Sequence, residues 1–173
     1  AAGGRLQMLG IEGQPFYESQ IGQRVGRSLP VRWIDIPDPD PEEAETNVMA
    51  VFYQGWDRGG AYFSRLEGCV YSHGVVYFCS TQGGGPQEPA ESDTVQGWGN
   101  GSGQIWAYHT RLNVLRLVYQ SPGPDTLDFP DNVTTRGRRN SLVLCEDNVN
   151  DNFLRTLSSS GKLGDLAANR LVN

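Results

Sequence analysis

The chain has 173 residues, of which 38% are hydrophobic, and a formal net charge of −6. This length and composition suit one globular domain, or part of a larger one, with enough apolar residues to bury a core. The negative charge argues against a nucleic-acid partner, because binding a phosphate backbone requires a clustered excess of Lys and Arg. No stretch of the sequence has the apolar length that spans a bilayer.

The residue types favour strands joined by tight connections. The chain contains 22 Gly and 10 Pro together with 7 Tyr, 6 Phe and 4 Trp. Aromatic residues favour pleated surfaces, whereas Gly and Pro end strands and form turns. We therefore predict an all-β protein with little helix.

Residues 1–64 are predicted to form a lead-in segment with one strand and one short helix. Residues 1–29 have no clean periodicity, whereas LPVRWIDI (29–36) alternates as a strand does. Asp40 is predicted to cap a helix that runs to about Gln54, because acidic residues follow it near the positive end of the helix dipole.

Residues 65–121 are predicted to form one four-stranded propeller blade. The first strand begins after RLEG, and the next three are VVYFCST (75–81), GQIWAYHT (103–110) and VLRLVYQS (114–121). Residues 82–102, rich in Gly, Pro, Gln, Glu and Ser, are predicted to be an insertion loop. A meander of four strands is the unit of a propeller blade.

The start of this blade is repeated further along the chain. RLEG leads into CVYSHGVVYFCST, and FPDN leads into VTTRGRRNSLVLCED. In both copies an acid beside Gly or Asn precedes a short strand, a glycine turn and an apolar strand that ends at Cys79 or Cys145. Residues 122–173 are therefore predicted to be an incomplete next blade. The whole chain is then predicted to be a fragment, about two blades, of one β-propeller domain, since a ring needs at least four.

The three cysteines have no pattern of a metal or redox site. Cys69, Cys79 and Cys145 lack CxxC spacing, and an odd number cannot pair completely. Cys79 and Cys145 lie in apolar runs, where a thiol is most often a small buried hydrophobic group.

The repeat gives Glu67 and Asp131 equivalent positions in neighbouring blades. Equivalent carboxylates that face a common channel repel each other unless a cation or a proton neutralises them. The pattern therefore indicates a metal site, and hard oxygen ligands suit calcium or ferric iron better than zinc. The alternative is that both are turn acids, since Asp and Asn are common in turns.

The order and spacing of several segments carry a resemblance to a known family. QGWDRGGAYFSRLEG, GQIWAY, FPDN and LVLCEDN, together with LPVRWIDIPDPDP, resemble the bacterial PhoX-type alkaline phosphatases and their uncharacterised relatives. The resemblance extends from about Leu6 to Asn169.

That resemblance implies a β-propeller with calcium and iron at the mouth of its channel, hydrolysing small phosphate monoesters. It implies that Arg65 binds the phosphate, that Glu67 bridges metals and that Asp131 is a further metal ligand. Arg65 and Glu67 are two residues apart in an extended strand and would share one face. The resemblance also implies a periplasmic or secreted protein.

Some of the family's ligands, a cysteine and a glutamate from earlier blades and a later lysine, have no counterpart that we can identify. The chain by itself is therefore expected to be inactive and to need the remaining blades of the parent protein as partners. Two other functions stay open. One is a calcium-dependent propeller esterase or lactonase, and the other is a non-catalytic binding propeller that calcium stabilises.

Overall fold

The computed structural model describes residues 3–85, 101–137, 141–149 and 151–169. The chain folds into two compact units. The first unit comprises Ala1–Glu18 and Leu29–Tyr62, and the second comprises Ser19–Ser28 and Phe63–Asn173.

The first unit contains one antiparallel strand pair, formed by β1 (Gln7–Ile11) and β2 (Ser28–Asp35). Leu29 and Val31 of β2 are buried two residues apart, as in the alternation that predicted a strand over residues 29–36, and Ile34 is buried three residues further on. That prediction is confirmed.

The predicted continuous helix from Asp40 is wrong. A short 3-10 helix (Glu42–Glu45) and a separate helix α1 (Ala50–Trp56) replace it, and neither has a side-chain cap. The Asn47 side-chain oxygen accepts a hydrogen bond from the backbone N–H of Met49, at 3.1 Å. Such local bonds compete with helical hydrogen bonds, so the chain turns between the two segments.

The second unit contains two antiparallel sheets in which each strand pairs with the next along the chain. The strands of the first sheet are β3 (Leu66–Ser72), β4 (Val75–Ser80), β5 (Gln104–His109) and β6 (Val114–Gln120). Those of the second are β7 (Pro130–Arg136), β8 (Ser141–Glu146), β9 (Phe153–Leu157) and β10 (Leu163–Ala168). The predicted fold class, an all-β partial propeller with a short helix, is confirmed.

The core of the second unit lies between its two sheets. Buried side chains from both sheets form one cluster, which consists of Val75, Tyr77, Cys79, Ile105, Ala107, Leu127, Val133, Leu142, Leu144 and Leu157. Burying each large aliphatic side chain stabilises the fold by roughly 1.5–3 kcal/mol relative to leaving it exposed. This shared core holds the first strand of each sheet, β3 and β7, in contact.

The blade boundaries at residues 65 and 122 stay predictions. Most of the predicted insertion loop, residues 86–100, lies outside the described residues. Within the described part of the chain, no helix is long and apolar enough to cross a membrane.

Gly68 allows the backbones of β3 and β7 to approach closely. A Cβ atom at this position would lie 2.5 Å from the Cα of Asn132 and 2.7 Å from the backbone nitrogen of Val133. Both neighbours are backbone atoms, so they cannot move aside as a flexible side chain could. The absence of a side chain at residue 68 is therefore a steric requirement of this contact.

We expect Gly68→Ala to lower the free energy of unfolding by about 1–3 kcal/mol, because the added methyl group forces the two strands apart. Urea denaturation monitored by tryptophan fluorescence measures the change. Gly164→Ala in β10 is the control, since its Cβ would lie at an ordinary 3.6 Å from the Thr156 hydroxyl. Equal stability of the two variants would contradict the close approach.

Candidate metal and phosphate site

Glu67 and Asp131 lie at equivalent β-bulges, one in the first strand of each sheet. In the first sheet Leu66 pairs with Ser80 and Cys69 with Phe78, so β3 has one more residue than β4 across this stretch. In the second sheet Pro130 pairs with Glu146 and Asn132 with Cys145, so Asp131 is the extra residue. Bulges re-aim side chains and are common beside active sites. The sequence repeat is thus a structural repeat.

Each bulge is preceded by a residue with an unusual backbone conformation. Arg65 has φ of 51° and Phe129 has φ of 48°. A positive φ is strained for bulky side chains and costs about 1–3 kcal/mol. The carbonyl of Arg65 accepts the N–H of Thr81 at 2.9 Å, and the carbonyl of Phe129 accepts the N–H of Asp147 at 3.0 Å. The same type of hydrogen bond therefore holds the strained residue before each bulge.

The two bulges are in contact through Gly68. A Cβ on Gly68, the residue after Glu67, would lie 2.8 Å from the carbonyl oxygen of Asp131. The backbones that carry Glu67 and Asp131 are therefore immediate neighbours.

Arg65 and Glu67 form a loose ion pair. Their Nη2 and Oε1 atoms are 3.7 Å apart, and the side chains are 39% and 38% exposed. Ion pairs with this exposure contribute little to stability, typically about 0–1 kcal/mol. Both groups are therefore accessible to a dissolved ligand at little cost in stability.

Asp131 is half-buried, and its carboxylate has no hydrogen bond or ion pair with another side chain in the described part of the chain. A cation close to a carboxylate favours its charged form, so a carboxylate without an ion pair can accept a cation as its partner.

Cys79 lies in β4 opposite the first bulge, between Phe78 and Ser80. Its side chain has no exposed surface, and burial raises the pKa of Cys79 to about 12. The charge of Asp131 adds to the rise in the pKa, as do smaller contributions from Cys145, Cys69 and Glu67. The prediction that Cys79 is a buried hydrophobic group is confirmed.

Glu146 pairs with Pro130 at the second bulge. It is 8% exposed and accepts hydrogen bonds from the backbone N–H groups of Asp128 (3.0 Å) and Phe153 (2.9 Å) and from Arg155 Nε (2.9 Å). Burial raises the pKa of the Asp128 carboxyl; the charge of Glu146 adds to the rise, and a hydrogen bond from Ser102 opposes it. No local pattern in the sequence marks Glu146, because its partners lie in β9 and in the connection before β7.

The histidines lie away from this edge of the sheets. His73 occupies the β3–β4 turn, where its Nδ1 is 2.8 Å from the Ser72 hydroxyl, and His109 pairs with Val75 at the same end. The bulges are at the opposite end of β3.

The carboxylates of Glu67 and Asp131 supply only some of the ligands that a hard cation needs. Glu67 and Asp131 offer carboxylate oxygens, which calcium and ferric iron prefer. Among the described residues, no group of three or more His, Cys, Asp or Glu is arranged to hold a metal ion. Calcium takes six to eight oxygen ligands. Further ligands would have to come from water, substrate or other residues.

Two sheets with equivalent acidic bulges on their first strands define a propeller-type protein with a candidate ion-binding edge. The chain belongs to the alkaline phosphatase PhoX family, whose sequence model matches residues 1–173. No curated protein and no solved structure matches the chain. The resemblance found in the sequence is confirmed, and at family level the chain is an alkaline phosphatase-like hydrolase of a metalloenzyme family that acts on phosphate esters.

We expect iodoacetamide at pH 8 to label Cys69, which is exposed, and to leave Cys79 unlabelled in the folded protein. A thiol with a pKa near 12 is ionised to only about one part in 10⁴ at this pH, and the thiolate is the reactive form. Peptide mass spectrometry measures both sites. Guanidinium chloride should make them equally reactive, and equal labelling without denaturant would contradict the burial of Cys79.

Proposed function

We propose that Arg65, Glu67 and Asp131 belong to the active centre of a metal-dependent phosphatase that hydrolyses phosphate monoesters. The observation that carries this proposal is the pair of equivalent bulges on adjacent strands, which brings the backbones of two acids together. Family membership supports the phosphatase chemistry at the level of the class.

Arg65 is proposed to bind the phosphoryl oxygens. Its guanidinium is partly exposed, and its ion pair with Glu67 is long enough at 3.7 Å to give way to a better ligand. A guanidinium presents two parallel N–H donors to phosphate, and such charge-assisted bonds are among the strongest in proteins. Phosphoryl transfer concentrates charge on the equatorial oxygens, so catalysis depends mostly on positioning and charge neutralisation.

Glu67 and Asp131 are proposed to hold calcium, iron or both. When bound, such cations would neutralise charge on the phosphoryl group. Both carboxylates are carried by bulges that follow strained, hydrogen-bonded residues, which directs them without relying on flexible loops. Glu67 also lies beside the guanidinium of Arg65, so it can orient that side chain.

Two carboxylates leave most of a calcium coordination shell to be supplied by other groups. We therefore propose that the 173-residue chain alone is inactive and that the full-length protein supplies the missing ligands. We also propose a periplasmic or secreted location, which rests on the family alone.

We expect Arg65→Ala in the full-length protein to lower kcat/KM for p-nitrophenyl phosphate by about 10²–10³-fold, because charge stabilisation in the transition state is lost. Arg65→Lys should recover only part of this, since an ammonium lacks the paired donors. Arg111→Ala, in the exposed β5–β6 turn, is the control and should leave activity unchanged. Thermal melting should show little change for Arg65→Ala, and full activity of this variant would refute the role of Arg65.

We expect Glu67→Gln and Asp131→Asn each to reduce the calcium or iron retained by the full-length protein, because a neutral amide is a weaker ligand for hard cations. Metal analysis after gel filtration measures retention. Asp125→Asn, an exposed acid in the β6–β7 connection, is the control. Unchanged metal content in both site variants would contradict the assignment of these two ligands.

The same variants separate the alternative functions. A lower melting temperature with unchanged phosphatase activity would indicate a binding propeller that calcium stabilises. Retention of calcium without iron, together with hydrolysis of p-nitrophenyl acetate but not of the phosphate ester, would favour the esterase or lactonase.

A further inference from the structure

Thr81 joins the two acidic bulges through two hydrogen bonds. It directly follows β4 and is only 2% exposed. Its backbone N–H donates to the carbonyl of Arg65 at 2.9 Å, and its hydroxyl donates to the carbonyl of Pro130 at 3.0 Å. One buried residue therefore contacts the residue that precedes the first bulge and the start of the second.

Each of the two accepting carbonyls belongs to a proposed site residue or directly precedes one. The Pro130 carbonyl belongs to the peptide plane that ends at the Cα of Asp131, so a rotation of this plane would turn Asp131. The Arg65 carbonyl belongs to the residue that holds φ at 51°. A strained conformation persists only where its surroundings determine it fully.

The segment before Asp131 is held at each successive residue. The N–H of Asp128 donates to Glu146 at 3.0 Å, and the N–H of Phe129 donates to the carbonyl of Ser102 at 3.1 Å. The Thr81 hydroxyl adds the bond at Pro130, and it connects this segment to the first repeat.

We propose that Thr81 is a positioning residue that sets the spacing between the Arg65 guanidinium and the Asp131 carboxylate. This inference rests on the proposed function of those two residues. The hydroxyl is the required group, because its loss leaves the buried Pro130 carbonyl without that donor. Serine can supply the same bond, whereas valine matches the shape of threonine without the donor.

Hydrogen exchange in the full-length protein tests the bridge without reference to activity. Thr81→Val keeps the backbone bond to the Arg65 carbonyl and loses only the hydroxyl bond to Pro130, so amide exchange should increase in a peptide covering residues 127–133. Thr81→Ser should not show this increase. Thr110→Val is the control, since the Thr110 hydroxyl makes a similar 2.9 Å bond to the Gly74 carbonyl at the other end of the sheet. Unchanged exchange of residues 127–133 in Thr81→Val, or an equal rise in Thr81→Ser, would overturn the bridge.

Kinetics with p-nitrophenyl phosphate test the consequence for the site. Thr81→Val should lower kcat by about tenfold or more, since small displacements of aligned groups are costly. Thr81→Ser should stay within about twofold of the wild type, and Thr110→Val should be unchanged. A purely structural role would lower the melting temperature of Thr81→Val without this loss in kcat or its rescue by serine.

The outcomes separate the two proposals. Normal kcat in Thr81→Val, or an equal loss in Thr81→Ser, would overturn the role of Thr81 while leaving a phosphatase intact. A wild-type protein without phosphatase activity would refute the proposed function, and the exchange data would still decide whether Thr81 holds the two bulges together. Thr81→Ala gives the same contrast with serine if the valine variant does not fold.

Discussion

The candidate site depends on one steric constraint, the close approach of β3 to β7 at Gly68. With no side chain there, the backbone of the first strand lies against residues 131–133 of the second. Any larger residue would separate the two strands, and with them the acids at the two bulges. The shared apolar core supplies the attraction that closes this contact, because it draws side chains from both sheets.

Buried hydrogen bonds and a buried ion pair orient the residues at this contact. Hydrophobic packing is not directional, so it does not orient a carboxylate. Backbone donors hold the strained residues Arg65 and Phe129. The buried Glu146–Arg155 pair, with Nε and Oε1 2.9 Å apart, fixes the chain ahead of Asp131. Desolvating two charges is costly, which makes this pair weak support for stability, whereas its many hydrogen bonds restrict the geometry.

Several elements could be predicted directly from local patterns. The alternation in residues 29–36 and the aromatic and β-branched run 75–81 each correspond to an observed strand. The prediction of one helix from Asp40 was wrong, because helix propensity and the helix dipole do not account for the turn at Asn47. Glu67 was proposed as a site residue because an acid beside Gly or Asn starts a short strand in both copies of the repeat, and because of the family resemblance. No local pattern marks Thr81, because its hydrogen-bond partners are distant in the chain.

The sequence by itself determined the all-β class, the repeat and the residue types at the site, because strand periodicity and turn chemistry act between near neighbours in the chain. Only the tertiary structure decided that both acids lie at bulges and that Gly68 allows β3 and β7 to approach closely. It also decided that Thr81 is hydrogen-bonded to the segments at both bulges. These features depend on register shifts of one residue and on contacts between sheets. Short-range patterns do not encode either, because both follow from how the shared core packs.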